Sequence, residues 1–330
     1  MFVTNRRIRA MEQYVRVKPM TERQAEWMQE RLFQESGPFY HLYTKPLENG
    51  LVFQEEEEMR VALNLIALTA KEFHIDILAY ALMSNHFHFI IRGEWEEGAA
   101  FFNRVKRRLS NYLARRGRSG VLAPVDVDPD TPPIGSLTQL RNEIAYVIRN
   151  PYVVRVDVNP MAFPWCSGFL YFNPFLSSLK SKRPNELTYK EKRDITRSPY
   201  PELDPSFRVR DRIITPETFV NYRLVERLFP NARKFTWWVF KNVEAQCEVA
   251  ARLGERPHLN DDELFQAAQQ TCRSQFNCDG VTDLSPQLRK ELAVILKNKW
   301  NASNGQVARI ARLDQRTVDS LFPLAAKHKG

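Results

Sequence analysis

The sequence predicts an α+β fold built on an antiparallel sheet, followed by a mainly helical region. Three observations predict it. Apolar runs of strand length lie at 38–46, 74–83 and 86–93. Two amphipathic helical patterns alternate with them in the order strand, helix, strand, strand, helix, which is the order of a ferredoxin-like unit. Beyond residue 216 the patterns become mostly helical.

Residues 1–37 read as a charged N-terminal leader. Within it Thr21, followed three residues later by Gln24, marks the start of a short helix over TERQAEWMQERLF. PFYHLYTKP is the first strand. EEEEMRVALNLIALTAKEF is a helix with acidic residues at its start, where the helix dipole favours them. HIDILAYALM and HFHFIIRG are two strands joined by the polar turn Ser84–Asn85. EEGAAFFNRVKRRLSNYLARRG is a helix closed by Gly117. After a Pro- and Asp-rich loop, SLTQLRNEIAYVIRNP is a helix expected to stop near Asn150, because Pro151 disfavours helix at the residue before it. This unit spans 38–175.

Residues 176–216 are polar and Pro-rich and read as a linker or extended arm. Residues 217–330 read as a helical C-terminal region. Near its end, GQVARIARLDQRTVDSLF places Val307, Ile310 and Ala311 on one helix face, Leu313 and Asp314 in a turn, and Val318 and Leu321 on a second helix. That spacing fits a helix-turn-helix, with Gln315, Arg316 and Thr317 placed to contact bases or phosphates. Any short helical hairpin gives the same pattern.

A length of 330 residues with 43% hydrophobic content supports a sizeable core and more than one domain. No run of about 18 apolar residues is present, which argues against a transmembrane helix, and no secretory signal is read at the N-terminus. The four cysteines, Cys166, Cys247, Cys272 and Cys278, show no zinc spacing and read as reduced thiols of a cytoplasmic protein. The net charge of +9 favours polyanionic partners. From Ala99 to Gly120 there are seven basic residues and no acidic ones: Arg104, Lys106, Arg107, Arg108, Arg115, Arg116 and Arg118. They form either a phosphate-tracking face, with stacking from Tyr112 or Phe102, or a solvated helix face.

The chemistry centres on ALMSNHFHFII. Side chains alternate along a strand, so His86 and His88 share one face and Phe87 and Phe89 the other. Two converging imidazoles make half of a divalent-metal site; a chance pair is the alternative. A zinc hydrolase would need further ligands, and His41, His74, His258 and His328 show no ligand spacing to a carboxylate. On the later helix, Leu137, Leu140, Ile144 and Val147 form a core stripe. Tyr146 lies about 200° round from Ile144 and shares a face with Asn142 and Asn150. A phenol with a carboxamide one turn away can join metal coordination to attack on phosphate. An ordinary half-exposed tyrosine gives the same pattern.

LAYALMSNHFHFII resembles the Y-x-x-M-P-N-H-x-H signature of single-tyrosine HUH transposases. YVIRNPYVVRV and FPWCSGFLY resemble the tyrosine-helix and W-P-x-S-S segments of the REP-associated tyrosine transposase branch. The likeness covers roughly residues 38–172. Ser84 stands where the family has proline, and the aromatic–basic segment before the tyrosine helix is replaced by GRSGVLAPVDVDPD.

The resemblance implies that 38–175 is an HUH nuclease domain, with His86 and His88 as metal ligands, Asn150 as a further ligand and Tyr146 as nucleophile. Tyr112 is a weaker rival. It implies Mg²⁺ or Mn²⁺ as cofactor and a 5′-phosphotyrosine intermediate on single-stranded hairpin or repeat DNA. Arg104, Lys106, Arg107, Arg108, Arg115 and Arg116 would track the backbone. The C-terminal helices would read flanking duplex. The implied protein is a monomer or homodimer in the bacterial cytoplasm, at the nucleoid. A DNA-binding regulator that keeps this fold without strand transfer is the competing expectation.

Overall fold

The structure is a computed structural model that describes residues 20–45, 47, 51–122, 131–154, 159–255 and 259–323; at 152–154, 243 and 244 it describes the backbone alone. The expected leader segment 1–19, His258 and His328 lie outside the described residues.

The chain is α+β. Strands β1 (Phe39–Tyr43), β2 (Asp76–Leu82) and β3 (Phe87–Arg92) form an antiparallel sheet in the order β1-β3-β2. Helix α2 (Glu56–Ala70) joins β1 to β2, which flank β3 on either side, and β2 turns into β3 through Ser84 and Asn85. A ferredoxin-like sheet has a fourth strand; among the described residues this sheet has three.

The alternation in β3 sorts the two faces. Phe87, Phe89 and Ile91 enter a core with Phe101, Phe102, Val105, Leu109 and Leu113 of α3 (Trp95–Arg115) and with Val61 and Ile66 of α2. Gly98 in the first turn of α3 lets the helix approach: a Cβ there would stand 2.3 Å from Ile91 Cδ1. Ile90, on the other face, enters a second core with Ala79, Ala81, Ile144, Ala145 and Ile148. The small side chains of Ala79 and Ala81 let α4 (Leu137–Val154) lie on β2 and β3. This helix does not stop at Asn150 but runs through Pro151 to Val154. The bias imposed by proline on its predecessor is a preference, and here the helix overrides it.

Helix α1 (Glu22–Glu35) begins as expected, with Thr21 and Gln24 forming a reciprocal capping box. It belongs to the core rather than to a leader. Phe33 stacks on Phe39 with ring centroids 5.3 Å apart, and Arg141 of α4 bonds Glu26 and Gln29.

The expected linker 176–216 is also packed. It carries α5 (Tyr189–Thr196) and a hairpin of β4 (Val209–Arg210) with β5 (Ile213–Ile214). Leu187, Ile195, Phe207, Val209 and Ile214 bury themselves with Ala67 of α2. Asn64 of α2 clamps the hairpin: its Nδ2 donates to the Arg212 carbonyl (2.9 Å) and its Oδ1 accepts from the Ile214 amide (2.8 Å). Five well-placed apolar side chains anchor a segment whose average composition is that of a linker.

The expected boundary at 217 cuts through a shared core. Leu224, Val225 and Leu228 of α6 (Tyr222–Leu228) and Phe235 and Val239 of α7 (Ala232–Phe240) pack with α4. Helix α8 (Val243–Arg252) also lies on α4. A separate core is built by α9 (Asp261–Gln275), α10 (Pro286–Trp300), α11 (Asn304–Ala311) and α12 (Gln315–Leu321). Val307, Ile310, Ala311 and Val318 are buried in it, whereas Leu321 is 39% exposed. The cysteines are free thiols. Among the described residues no helix is long and apolar enough to cross a membrane.

Candidate active site

His86, immediately before β3, and His88 within it project towards α4, and their ring centroids are 4.8 Å apart. Both are buried, His88 completely. Tyr43 of β1 is the cross-strand neighbour of His88 and stacks on it at 5.9 Å. His41, two residues back along β1, completes a cluster of three imidazoles on this face.

Hydrogen bonds orient each ring. The Glu143 carboxylate can only accept, so His41 Nδ1–H donates to Glu143 Oε2 (2.6 Å). His41 Nε2 is in turn hydrogen-bonded to His88 Nδ1 (3.0 Å). His86 Nδ1–H donates to Asn85 Oδ1 (2.7 Å). In both members of the pair Nδ1 is engaged within the protein, and Nε2 is the nitrogen that can face an ion. Each is oriented by a bond at the other nitrogen, as metal-ligating histidines are. Glu143 is in turn held by Arg252 and by Gln139 Nε2 (3.2 Å). Burial pushes the Glu143 carboxyl up, but its bonds to His41 and Arg252 outweigh this and hold it below the ordinary value. Burial, then the neighbouring His86 and His41, holds His88 well below the usual imidazole range, which keeps it neutral.

Tyr146 reaches the same place from α4. Its ring centroid is 5.9 Å from that of His88 and 6.4 Å from that of His41. Its hydroxyl donates to the carboxylate of Glu255, just beyond α8. The other carboxylate oxygen lies 3.6 Å from His88 Nε2. Among the described residues, ligand atoms of His86, His88 and Glu255 lie within 4.8 Å of one another. Two imidazole nitrogens and a carboxylate suit a first-row divalent ion, Mn²⁺ more readily than Mg²⁺. Burial, followed by the Glu255 charge, pushes the Tyr146 phenol well above its ordinary value. Burial also raises the Glu255 carboxyl.

The structure thus brings together His86, His88 and Tyr146 and adds His41, Glu143 and Glu255. Asn150 sits one turn beyond Tyr146, where its Nδ2 donates to the Tyr146 carbonyl at 3.4 Å. Asn142 faces elsewhere: its Oδ1 accepts from Trp238 Nε1 (3.0 Å) and Asn242 Nδ2 (3.3 Å) and so serves the docking of α7 and α8. The residue on α4 that joins the site is its neighbour, Glu143.

The basic helix α3 lies across the sheet from this cluster, and Tyr112 lies with it. Much of its charge is engaged inside the protein. Arg108 bonds Glu72 (2.6 Å) and Arg116 bonds Glu55 (2.8 Å). Arg118 holds both oxygens of buried Glu58, at 2.9 and 2.8 Å. The acidic start of α2 is the partner of the basic run. Lys106 lies 5.8 Å from the Phe102 ring. Arg104, Arg107 and Arg115 are exposed and make no ion pair among the described residues. Arg108, Arg115 and Arg116 line a cleft of about 950 Å³ with Lys190 and Arg193 of α5.

In the C-terminal core, Asp314 caps α12 by accepting from the Thr317 amide (2.9 Å). Gln315 and Arg316 are exposed, and Gln315 Nε2 bonds Asp319 (2.9 Å).

No family model matches the chain, and no curated protein matches it. Among solved structures, a REP-associated tyrosine transposase bound to a REP hairpin overlays with a TM-score of 0.33 and 13% identity, over 41% of this chain and 79% of that one. An overlay this loose says nothing by itself about what the chain does.

Proposed function

We propose that the protein is a metal-dependent single-stranded DNA endonuclease and strand transferase of the HUH type, acting on hairpin or repeat DNA. The observation that carries this reading is the convergence of the Tyr146 phenol with the buried His86–His88 pair. His86 and His88 would hold Mg²⁺ or Mn²⁺ with an oxygen ligand beside them, a place for which the sequence resemblance puts forward Asn150. The ion's contribution when bound is to polarise a non-bridging oxygen of the scissile phosphate.

Tyr146 supplies the nucleophile. Its oxygen bonds to phosphorus as the bond to the 3′-oxygen breaks, leaving a 5′-phosphotyrosine and, after protonation, a free 3′-hydroxyl. The phenol must lose its proton in this step, and the Glu255 oxygen that accepts its hydrogen bond is placed to take it. Reversal by a 3′-hydroxyl joins strands without a nucleotide cofactor. Arg104, Lys106, Arg107, Arg108, Arg115 and Arg116 would guide the backbone. Gln315, Arg316 and Thr317 would contact flanking duplex. Soluble cytoplasmic residence at the bacterial nucleoid, as monomer or homodimer, belongs to this proposal.

A second reading is favoured by the closure of the site. Tyr146 is half-buried and its hydroxyl is engaged with Glu255, so a phosphate reaches the phenol oxygen only by displacing that contact. A protein in which this displacement never occurs is a DNA-binding regulator. Incubation with hairpin single-stranded DNA and Mn²⁺, followed by denaturing electrophoresis, separates the two. A covalent adduct absent from Tyr146→Phe supports the enzyme; tight binding with no adduct supports the regulator. His88→Ala is expected to abolish cleavage and keep most DNA affinity. Equal loss of both would assign the histidine a structural role.

A further inference from the structure

We propose that Glu255, rather than Asn150, is the oxygen ligand that completes the metal site. This places one ligand outside the β1–α4 unit that carries the histidines and the tyrosine. The inference rests on the reading that His86 and His88 hold an ion.

Two polar atoms face each other at the site. His88 Nε2 and Glu255 Oε1 are both buried, and neither has a hydrogen-bond partner. They face each other at 3.6 Å, too far for a hydrogen bond. Two ligands each about 2.1 Å from one ion stand about 3.0 Å apart at a right angle and about 3.4 Å apart in a tetrahedron. The observed spacing is therefore close to that of two atoms sharing a cation. Nε2 is the His88 nitrogen that faces this space, because Nδ1 is committed to His41.

Charge points the same way. The Glu255 side chain is only 7% exposed, and its Oε1 faces His88 Nε2. A buried carboxylate is costly unless a cation stands beside it, and a divalent ion supplies one. Asn150 would bring a neutral carbonyl, leaving the ion's two charges uncompensated by any ligand.

Glu255 would then do two things. One oxygen ligates the ion while the other keeps the hydrogen bond from Tyr146. A single carboxylate ties the nucleophile to the metal site, and the position of α8 sets both.

Mn²⁺ binding to the full-length protein tests this by electron paramagnetic resonance, read as loss of the free-ion signal, with no DNA and no turnover. The variants are Glu255→Gln, Asn150→Ala and His88→Ala, each checked for native circular dichroism. Glu255→Gln is close in shape and can still accept from Tyr146, so the fold has no reason to fail. Expected is a loss of more than about tenfold in Mn²⁺ affinity for Glu255→Gln and for His88→Ala, and less than about threefold for Asn150→Ala. Wild-type affinity in Glu255→Gln, with loss in His88→Ala, overturns the inference and leaves the histidine site standing. Wild-type affinity in His88→Ala, or no Mn²⁺ binding by the wild-type protein, overturns the reading beneath it.

Discussion

The Tyr146 hydroxyl donates its hydrogen bond to Glu255, a residue 109 positions further along the chain. That bond ties the helix lying on the sheet to the end of α8. It also holds the phenol protonated, since burial and the carboxylate both raise its pKa. A second tie runs beside it: Arg149 of α4 bonds both oxygens of Glu263 at 2.5 Å. The C-terminal helices are therefore coupled to the helix that carries the proposed nucleophile.

Glu143 acts through His41 to orient His88, so Glu143→Gln should loosen the ring without removing any proposed ligand. Loss of such an outer partner costs about 10- to 100-fold in metal affinity. Mn²⁺ titration is expected to show a loss in that range with the secondary structure intact. Unchanged affinity would mean that the Glu143–His41–His88 chain serves packing alone.

The exposed and the paired arginines of α3 should behave differently. Arg104→Ala, Arg107→Ala and Arg115→Ala are each expected to weaken single-stranded DNA binding and to reduce the slope of log affinity against log salt by about one. Arg116→Ala should weaken binding less, because that side chain is shared with Glu55 and Glu58. Fluorescence anisotropy at several salt concentrations distinguishes them. Equal slopes for wild type and all three exposed-site variants would remove α3 from the DNA path.

Glu58 should govern part of the acid stability. Burial pushes its carboxyl up, but the Gln54 amide and the Arg118 and Arg116 guanidinium groups prevail and hold it below the ordinary 4.5. A depressed carboxylate stabilises the fold above its unfolded pKa, and that contribution is lost as pH falls through the folded value. Glu58→Gln is therefore expected to cost about 2 kcal/mol at pH 7. Below pH 4.5 its stability should fall less steeply than that of the wild-type protein. Urea unfolding across pH 3 to 7 checks both. Parallel curves would show that Glu58 makes no pH-dependent contribution.

The parts of the site written in local periodicity were legible in the sequence. His86 and His88 share a face because a strand alternates by two, and Tyr146 turns from the Ile144 stripe because a helix turns by 3.6. The Thr21 cap was readable for the same reason. His41, Glu143 and Glu255 were not, since their partners lie far away in the chain: His41 and Glu143 are 102 positions apart. No spacing rule connects a strand residue to a distant carboxylate. The 176–216 segment misled for another reason: a few residues such as Phe207 and Ile195 anchor it, and average polarity conceals them. The pairing within the basic run was not legible either, because its partners, Glu55, Glu58 and Glu72, belong to another helix and the turn after it.

Peptide mapping of the covalent product tests the central claim most directly. The full-length protein is incubated with hairpin single-stranded DNA and Mn²⁺, digested, and analysed by tandem mass spectrometry. A nucleotide phosphate attached to the peptide that bears Tyr146, and to that tyrosine within it, is the predicted result. Attachment at Tyr112 or elsewhere, or no attachment on any hairpin that the protein binds tightly, would contradict it.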